Sequence, residues 1–192
     1  MANKIEIINK ALKLIGMKRI TSLDDNSPQA QAANATYNIT LESVLSSGVF
    51  SFSLERVVFA ALSETPAFIE DEMDLVYQKP TGCLRLVDFS PKNAKAKLEG
   101  DKIYSDTASL AGRIVVRVED TSFYFPAFVE AFSMKLAADM SYSLTNGTTQ
   151  GEKLLTAYEN IYLPRAKSAD STQGDAPEID VSTIEYAKYG VE

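Results

Sequence analysis

The spacing of apolar residues changes twice along this chain, and those two changes restrict the fold more than any single motif does. Up to about residue 49, hydrophobic side chains recur every three or four positions. Between Phe50 and Glu119 they fall into short or alternating runs, and from Pro126 the four-residue spacing returns. Helices repeat every 3.6 residues and half-buried strands every two, so the order reads helix, helix, strands, helix, helix. The pattern predicts an α+β chain: an antiparallel bundle of about four helices (1–49 and 121–170), an inserted antiparallel β-subdomain (50–120) and an extended C-terminal tail (171–192). At 192 residues, the length fits one domain with elaborations.

The helix boundaries carry their own signals. Ile5, Ile8, Leu12 and Ile15 make one stripe, which Gly16 ends. Ser27 before Pro28 reads as an N-cap with proline at the first helical position, where its missing N–H costs nothing. That helix should run to about Ser47, stop at Gly48 and bury Ala30, Ala33, Tyr37, Leu41 and Val44. Phe128, Phe132, Leu136 and Met140 mark a third helix, extended by Val129 and Leu144 and closed by Gly147. Thr149 and Glu152 suggest a capping box for a fourth, beginning at Gln150 and carrying Leu154, Leu155, Tyr158, Ile161 and Tyr162. Pro164 should kink or end it.

Strands are expected at Val57 to Leu62, Leu75 to Tyr77, Leu84 to Phe89, Ala96 to Leu98, Lys102 to Tyr104 and Ile114 to Val118. Glu99-Gly100-Asp101 reads as a hairpin turn, because glycine tolerates the positive φ such loops demand, and Ser90-Pro91-Lys92-Asn93 as another turn. Beyond Ser171 only Ile179, Val181, Ile184 and Tyr186 alternate loosely among acids.

Composition removes whole classes of chemistry. Without a histidine there is no Ser-His-Asp or Cys-His catalysis and no imidazole ligand, and a single cysteine forms neither an internal disulfide nor a thiolate cage. A formal charge of −7 argues against an electropositive nucleic-acid surface. No apolar run reaches the ~18 residues a membrane span needs, and no secretory leader is expected. The Asn-x-Thr triplets at Asn34, Asn38 and Asn146 are therefore read as chance.

The remaining candidates each have a plain structural reading. Glu70, Asp71, Glu72 and Asp74 are oxygen donors, but they lack the spacing and glycine of a calcium loop and read as a solvated loop. Glycoside hydrolysis needs two carboxylates, and Glu42, Glu55, Glu130 and Glu152 lie in regular structure, where surface acids are commoner. Cys83 beside an apolar strand reads as a small buried hydrophobe. Phe123, Tyr124, Phe125, Phe128 and Phe132 form a hydrophobic hinge where the strands hand back to the helices. Arg85, Arg113, Tyr158 and Tyr162 are candidate contacts to a neighbouring subunit or partner. Catalytic, cofactor and metal residues are expected to be none.

Taken in order, these segments resemble the adaptor proteins, or tail tubular protein A family, that join portal to tail in short-tailed bacteriophages. The resemblance rests on Leu14-Ile15-Gly16, on Ile20 to Asp25, on Gly48-Val49-Phe50-Ser51-Phe52, and on Tyr77 to Arg85 with Pro80, Cys83 and Arg85 in the family's places. It continues through Glu99 to Asp106, Phe125-Pro126-Ala127-Phe128, Leu136-Ala137, and Tyr158 with Ala166 to Asp170. The family often has Trp where Phe50 stands and Asp where Gly82 stands. The resemblance implies a structural protein of a phage or prophage virion, built during assembly in the bacterial cytoplasm and residing at the head–tail junction. It implies a dodecameric ring of copies of this chain between portal and tail nozzle, passing DNA without reading its sequence and touching no membrane. The tail, through Ile179, Val181, Ile184, Tyr186 and Tyr189, would dock the portal. A peptidoglycan hydrolase using paired carboxylates and a bacterial protein-interaction module are the alternative readings.

Overall fold

The computed structural model describes residues 2–145 and 148–172. Helix α1 (Lys4–Leu14) is opened by a capping box, in which the Asn3 side chain accepts from the Glu6 N–H at 2.9 Å and the Glu6 carboxylate accepts from the Asn3 N–H at 2.8 Å. It buries Ile7, Ile8, Ala11 and Leu12, a wider face than the single stripe expected, and Ile5 is only half-buried. Gly16, at φ 73°, takes the left-handed turn that ends the segment. The following loop is pinned by Asn9, whose amide donates to the Ile20 carbonyl at 2.9 Å and accepts from the Ile20 N–H at 2.8 Å.

Helix α2 (Pro28–Gly48) starts as expected: Ser27 Oγ accepts from the Ala30 N–H at 3.2 Å, with Pro28 in the first turn. Its end differs by one residue. Val49, not Gly48, is left-handed (φ 57°), and Gly48 is the last helical residue, where the Phe50 ring occupies the space of a Cβ. Helix α3 (Pro126–Leu144) is buried on most of its circumference, since α1, α2, α4 (Thr148–Ala157) and α5 (Leu163–Ser171) all pack against it. Thr149 lies inside α4, not at its cap, and Pro164 does not end the rod. One π-helical turn (Tyr158–Tyr162), in which the Leu163 N–H donates to the Tyr158 carbonyl, joins α4 to α5 and sets Pro164 in a fresh first turn, where its missing N–H is harmless. The bundle is therefore four antiparallel rods, the last of them α4–α5. Positions 146 and 147, including the Gly147 stop, and residues 173–192, which hold most of the expected tail, lie outside the described residues.

Seven strands form the insertion. Strands β1 (Leu54–Val58), β7 (Ala111–Val116) and β4 (Cys83–Ser90) make an antiparallel sheet in the order β1-β7-β4. Strands β2 (Ala60–Ala61), β3 (Leu75–Gln78), β6 (Lys102–Ser105) and β5 (Ala96–Glu99) make a second, ordered β2-β3-β6-β5. The Gly100–Asp101 hairpin appears as expected, with Glu99 opposite Lys102 and Gly100 at φ 62°. The expected strand from Val57 to Leu62 starts earlier and is broken at Phe59, where the chain crosses between sheets.

Strand alternation puts the three-stranded sheet in the middle of the molecule. Leu54, Val115, Leu84 and Val87 pack on the helical core, whereas Val57, Ile114, Leu86 and Phe89 join Phe59, Tyr77, Ile103 and Leu110 of the second core. Gly112 permits this close packing, because a Cβ there would meet the Asp88 carbonyl oxygen and the Phe59 ring. Both chain crossings between bundle and insertion are single 3-10 turns, Ser51–Ser53 and Thr121–Phe123. Within the described residues no helix is long and apolar enough to cross a membrane.

Candidate interaction surfaces

Much of what the sequence offered as chemistry is committed to holding the fold. The Phe50, Phe52, Tyr124, Phe125, Phe128 and Phe132 rings form one cluster that receives both crossings. Phe128 is at its centre, with ring centroids 4.9 Å from Phe50 and Phe52 and 4.8 Å from Tyr124, all edge-to-face. Tyr124 also donates its hydroxyl to the Val118 carbonyl at 2.6 Å. Phe123, grouped with this hinge from sequence, instead lies exposed.

Each candidate contact residue has a definite place. Arg85 donates to the Ser46 carbonyl at 3.0 Å, tying β4 to the end of α2. Arg113 forks onto Asp88 of the neighbouring strand, donating from Nε at 3.1 Å and from Nη2 at 2.5 Å, and this pairing holds Asp88 below the usual carboxylate range. Tyr158 is only 4% exposed and faces the chain's own core; burial raises its hydroxyl to about 12. Tyr162 is half-buried against the same core. Ile179, Val181, Ile184, Tyr186 and Tyr189 lie outside the described residues.

The carboxylates are likewise engaged in several places. Glu42 accepts from Arg117 at 3.0 Å, binding α2 to the chain beyond β7, and Glu130 sits 3.9 Å from Lys10 and 3.8 Å from Arg165. In the loop between β2 and β3, Glu64, Glu70 and Glu72 pair with Lys102 (2.7 Å), Lys97 (3.3 Å) and Lys95 (3.0 Å), strapping the loop over β5 and β6. Among the described residues no group of three or more cysteine or carboxylate side chains is placed to share a metal ion. Cys83 is buried at the start of β4, and desolvation pushes its thiol up from the ordinary value, away from the reactive thiolate.

Surface apolar residues remain on both parts of the molecule. Phe68 (74% exposed) and Ile69 (64%) occupy the strapped loop of the insertion, while Ile39 (71%) of α2, Tyr142 of α3 and Ile161 of the π turn stand out from the bundle. Ile161, expected with Tyr158 and Tyr162 on the apolar face of the fourth helix, is instead 58% exposed; the other four carried no sequence signal, since an exposed apolar residue in a loop or on a helix looks like any other until its neighbours are known. A third feature lies where the three-stranded sheet projects past the helices. There Arg56, Arg113 and Asp88 form one cross-strand row beside Val58 (73% exposed), lining an open groove of about 360 Å³. No protein-family model matches the chain, and no curated protein is significantly similar to it.

Proposed function

We propose that this chain is a structural head-to-tail adaptor of a phage or prophage virion, acting by self-association and docking. The observation that carries the reading is the arrangement of one chain as bundle, insertion and bundle, with exposed apolar side chains on both parts. A ring subunit contacts its neighbours through two different surfaces, and Ile39, Tyr142 and Ile161 on the bundle and Phe68 and Ile69 on the insertion supply two such sets. The aromatic cluster around Phe128 supports the same reading, since it lets the insertion transmit load to the bundle as one body. The ring is dodecameric, seated between portal and tail nozzle, and the net charge of −7 on each chain keeps DNA moving through it instead of gripping it. Residues 173–192 reach the portal.

Sedimentation velocity with the purified cognate portal tests the proposal. The full chain is expected to co-sediment with the portal as a discrete species. Two separate boundaries at micromolar concentrations of both proteins would overturn it.

A further inference from the structure

The two sheets of the insertion turn their outer faces in opposite directions, and each outer face carries an unmatched surface. On the second sheet Ile103 of β6 is fully buried in the core between the sheets, so its neighbours Lys102 and Tyr104 point outward. Lys102 pairs there with Glu64, Tyr104 borders a small hollow shared with Phe68, and Lys97, opposite Tyr104 in β5, holds Glu70. The loop between β2 and β3 therefore covers the outer face of the second sheet. On the first sheet Leu54 and Val115 face the helices, and by the same alternation so do Arg56, Val58, Arg113 and Ala111. The groove that these residues line is on the far side of the sandwich from the loop.

The loop is a preformed knob. Met73 is buried, three lysines strap the loop down, and its backbone closes on itself, the Met73 N–H donating to the Glu70 carbonyl at 2.9 Å and the Asp74 N–H to the Glu72 carbonyl at 3.0 Å. Phe68 and Ile69 nevertheless stand out from it into solvent. A loop already held in shape loses little conformational entropy when it docks. Glu64, Glu70 and Glu72 are paired, whereas among the described residues Asp71 and Asp74 make no ion pair.

The groove is its complement. Arg56 sits directly opposite Arg113 across β1 and β7, a like-charge pairing that a sheet disfavours, and Asp88 answers Arg113 alone. Among the described residues Arg56 and Lys92 make no ion pair, so three cations share one carboxylate in this groove on a chain whose net charge is −7. Val58 lies exposed beside them. A small anion would satisfy the cations and leave Val58 in water. The loop offers an acid and apolar side chains together.

We infer that the loop of one copy docks in the groove of the next, with Phe68 and Ile69 against Val58 and Asp71 toward Arg56 and Lys92. Loop and groove lie on opposite faces of one sandwich, so the contact is head-to-tail: each copy gives its loop to one neighbour and its groove to the other, as a ring requires. The inference deepens the self-association proposed above and rests on that part of the reading alone.

Cysteine cross-linking in the full chain, with and without the cognate portal, tests it. Val58→Cys and Ile69→Cys change exposed positions, and the native Cys83 is buried. Under mild oxidation an equimolar mixture of the two variants is expected to give at least about tenfold more disulfide-linked dimer than either variant alone, because a head-to-tail contact brings position 58 of one copy to position 69 of another. Adding Asp71→Lys to the Ile69→Cys chain should lower that yield about fivefold, and adding Arg56→Glu to the Val58→Cys chain should recover it. If Ile69→Cys lowers the Tm, Phe68→Cys takes its place. Equal yields from the mixture and from the single variants, both with and without portal, or no recovery by the exchanged charges, would overturn the inference. Co-sedimentation with the portal in the absence of the cross-link would refute this contact and leave the adaptor reading standing, and the cross-link without co-sedimentation would do the reverse.

Discussion

Replacing Phe128 by alanine tests whether bundle and insertion behave as one body. Phe128 is fully buried, and its ring lies 4.8–4.9 Å from Phe50, Phe52 and Tyr124, and 5.9 and 6.2 Å from Phe132 and Phe125. Truncating a core phenylalanine costs about 3–5 kcal/mol, and edge-to-face pairs add about 0.5–1.5 kcal/mol each beyond burial. Several pairs are lost together here, so the expected loss is at the top of the range, about 4–5 kcal/mol, or roughly 10–20 °C in Tm for a chain of this size. Phe128→Leu keeps most of the volume and should cost only about 1–2 kcal/mol. Urea melts read by far-UV circular dichroism and by near-UV tyrosine signals suit a chain without Trp. The two signals should move together. A loss below about 1.5 kcal/mol for Phe128→Ala, or strand and helix signals that separate in the parent protein, would refute the reasoning.

Further outcomes follow from other parts of the structure. Gly112→Ala is expected to destabilise by about 1–3 kcal/mol in the same urea assay, because the added methyl meets backbone at Asp88 and the Phe59 ring. Asp88→Asn should cost no more than about 1 kcal/mol, since the Arg113 pair is exposed; its depressed carboxyl means that the small benefit is present above the ordinary aspartate pKa and is lost as pH falls through the folded value. Tyr37 and Tyr158 are each raised to about 12 by burial, and Tyr124 is raised as well. Their neutral forms are favoured in the folded state, so stability that is whole below pH 10 should decline between pH 10 and 12, visible as a falling Tm before tyrosinate absorbance at 295 nm is complete. Ending the chain at Thr172 retains the hydrogen bonds from Ser51 to the Asp170 carboxylate and should preserve the cooperative melt while abolishing co-sedimentation with the portal.

The helix–strand–helix order was legible because local signals and tertiary structure agree. Ser27-Pro28 caps a helix whose apolar spacing follows at once, and Gly100 satisfies a hairpin that the strands on either side also need. Features set by distant neighbours were not legible. Ile7 is buried because α1 meets a helix more than a hundred residues away, and Pro164 continues a rod because a π turn precedes it. Ala111-Gly112 looks like a loop in sequence but is the centre of a sheet, since the Phe59 ring and the Asp88 backbone need the space of a missing side chain. For the candidate surfaces, sequence identified Arg113 but not its Asp88 partner, 25 residues earlier, because pairing across strands depends on register. The placement of loop and groove on opposite faces of the sandwich carries no sequence mark, being a property of sheet order alone.

Direct imaging of the assembled complex bears most closely on the central claim. Electron cryomicroscopy of the full chain mixed with its cognate portal should show a closed ring of copies of this chain seated on the portal, with bundle and insertion of adjacent subunits in contact. Portal particles bare of any added ring, at concentrations where both proteins are folded, would contradict it.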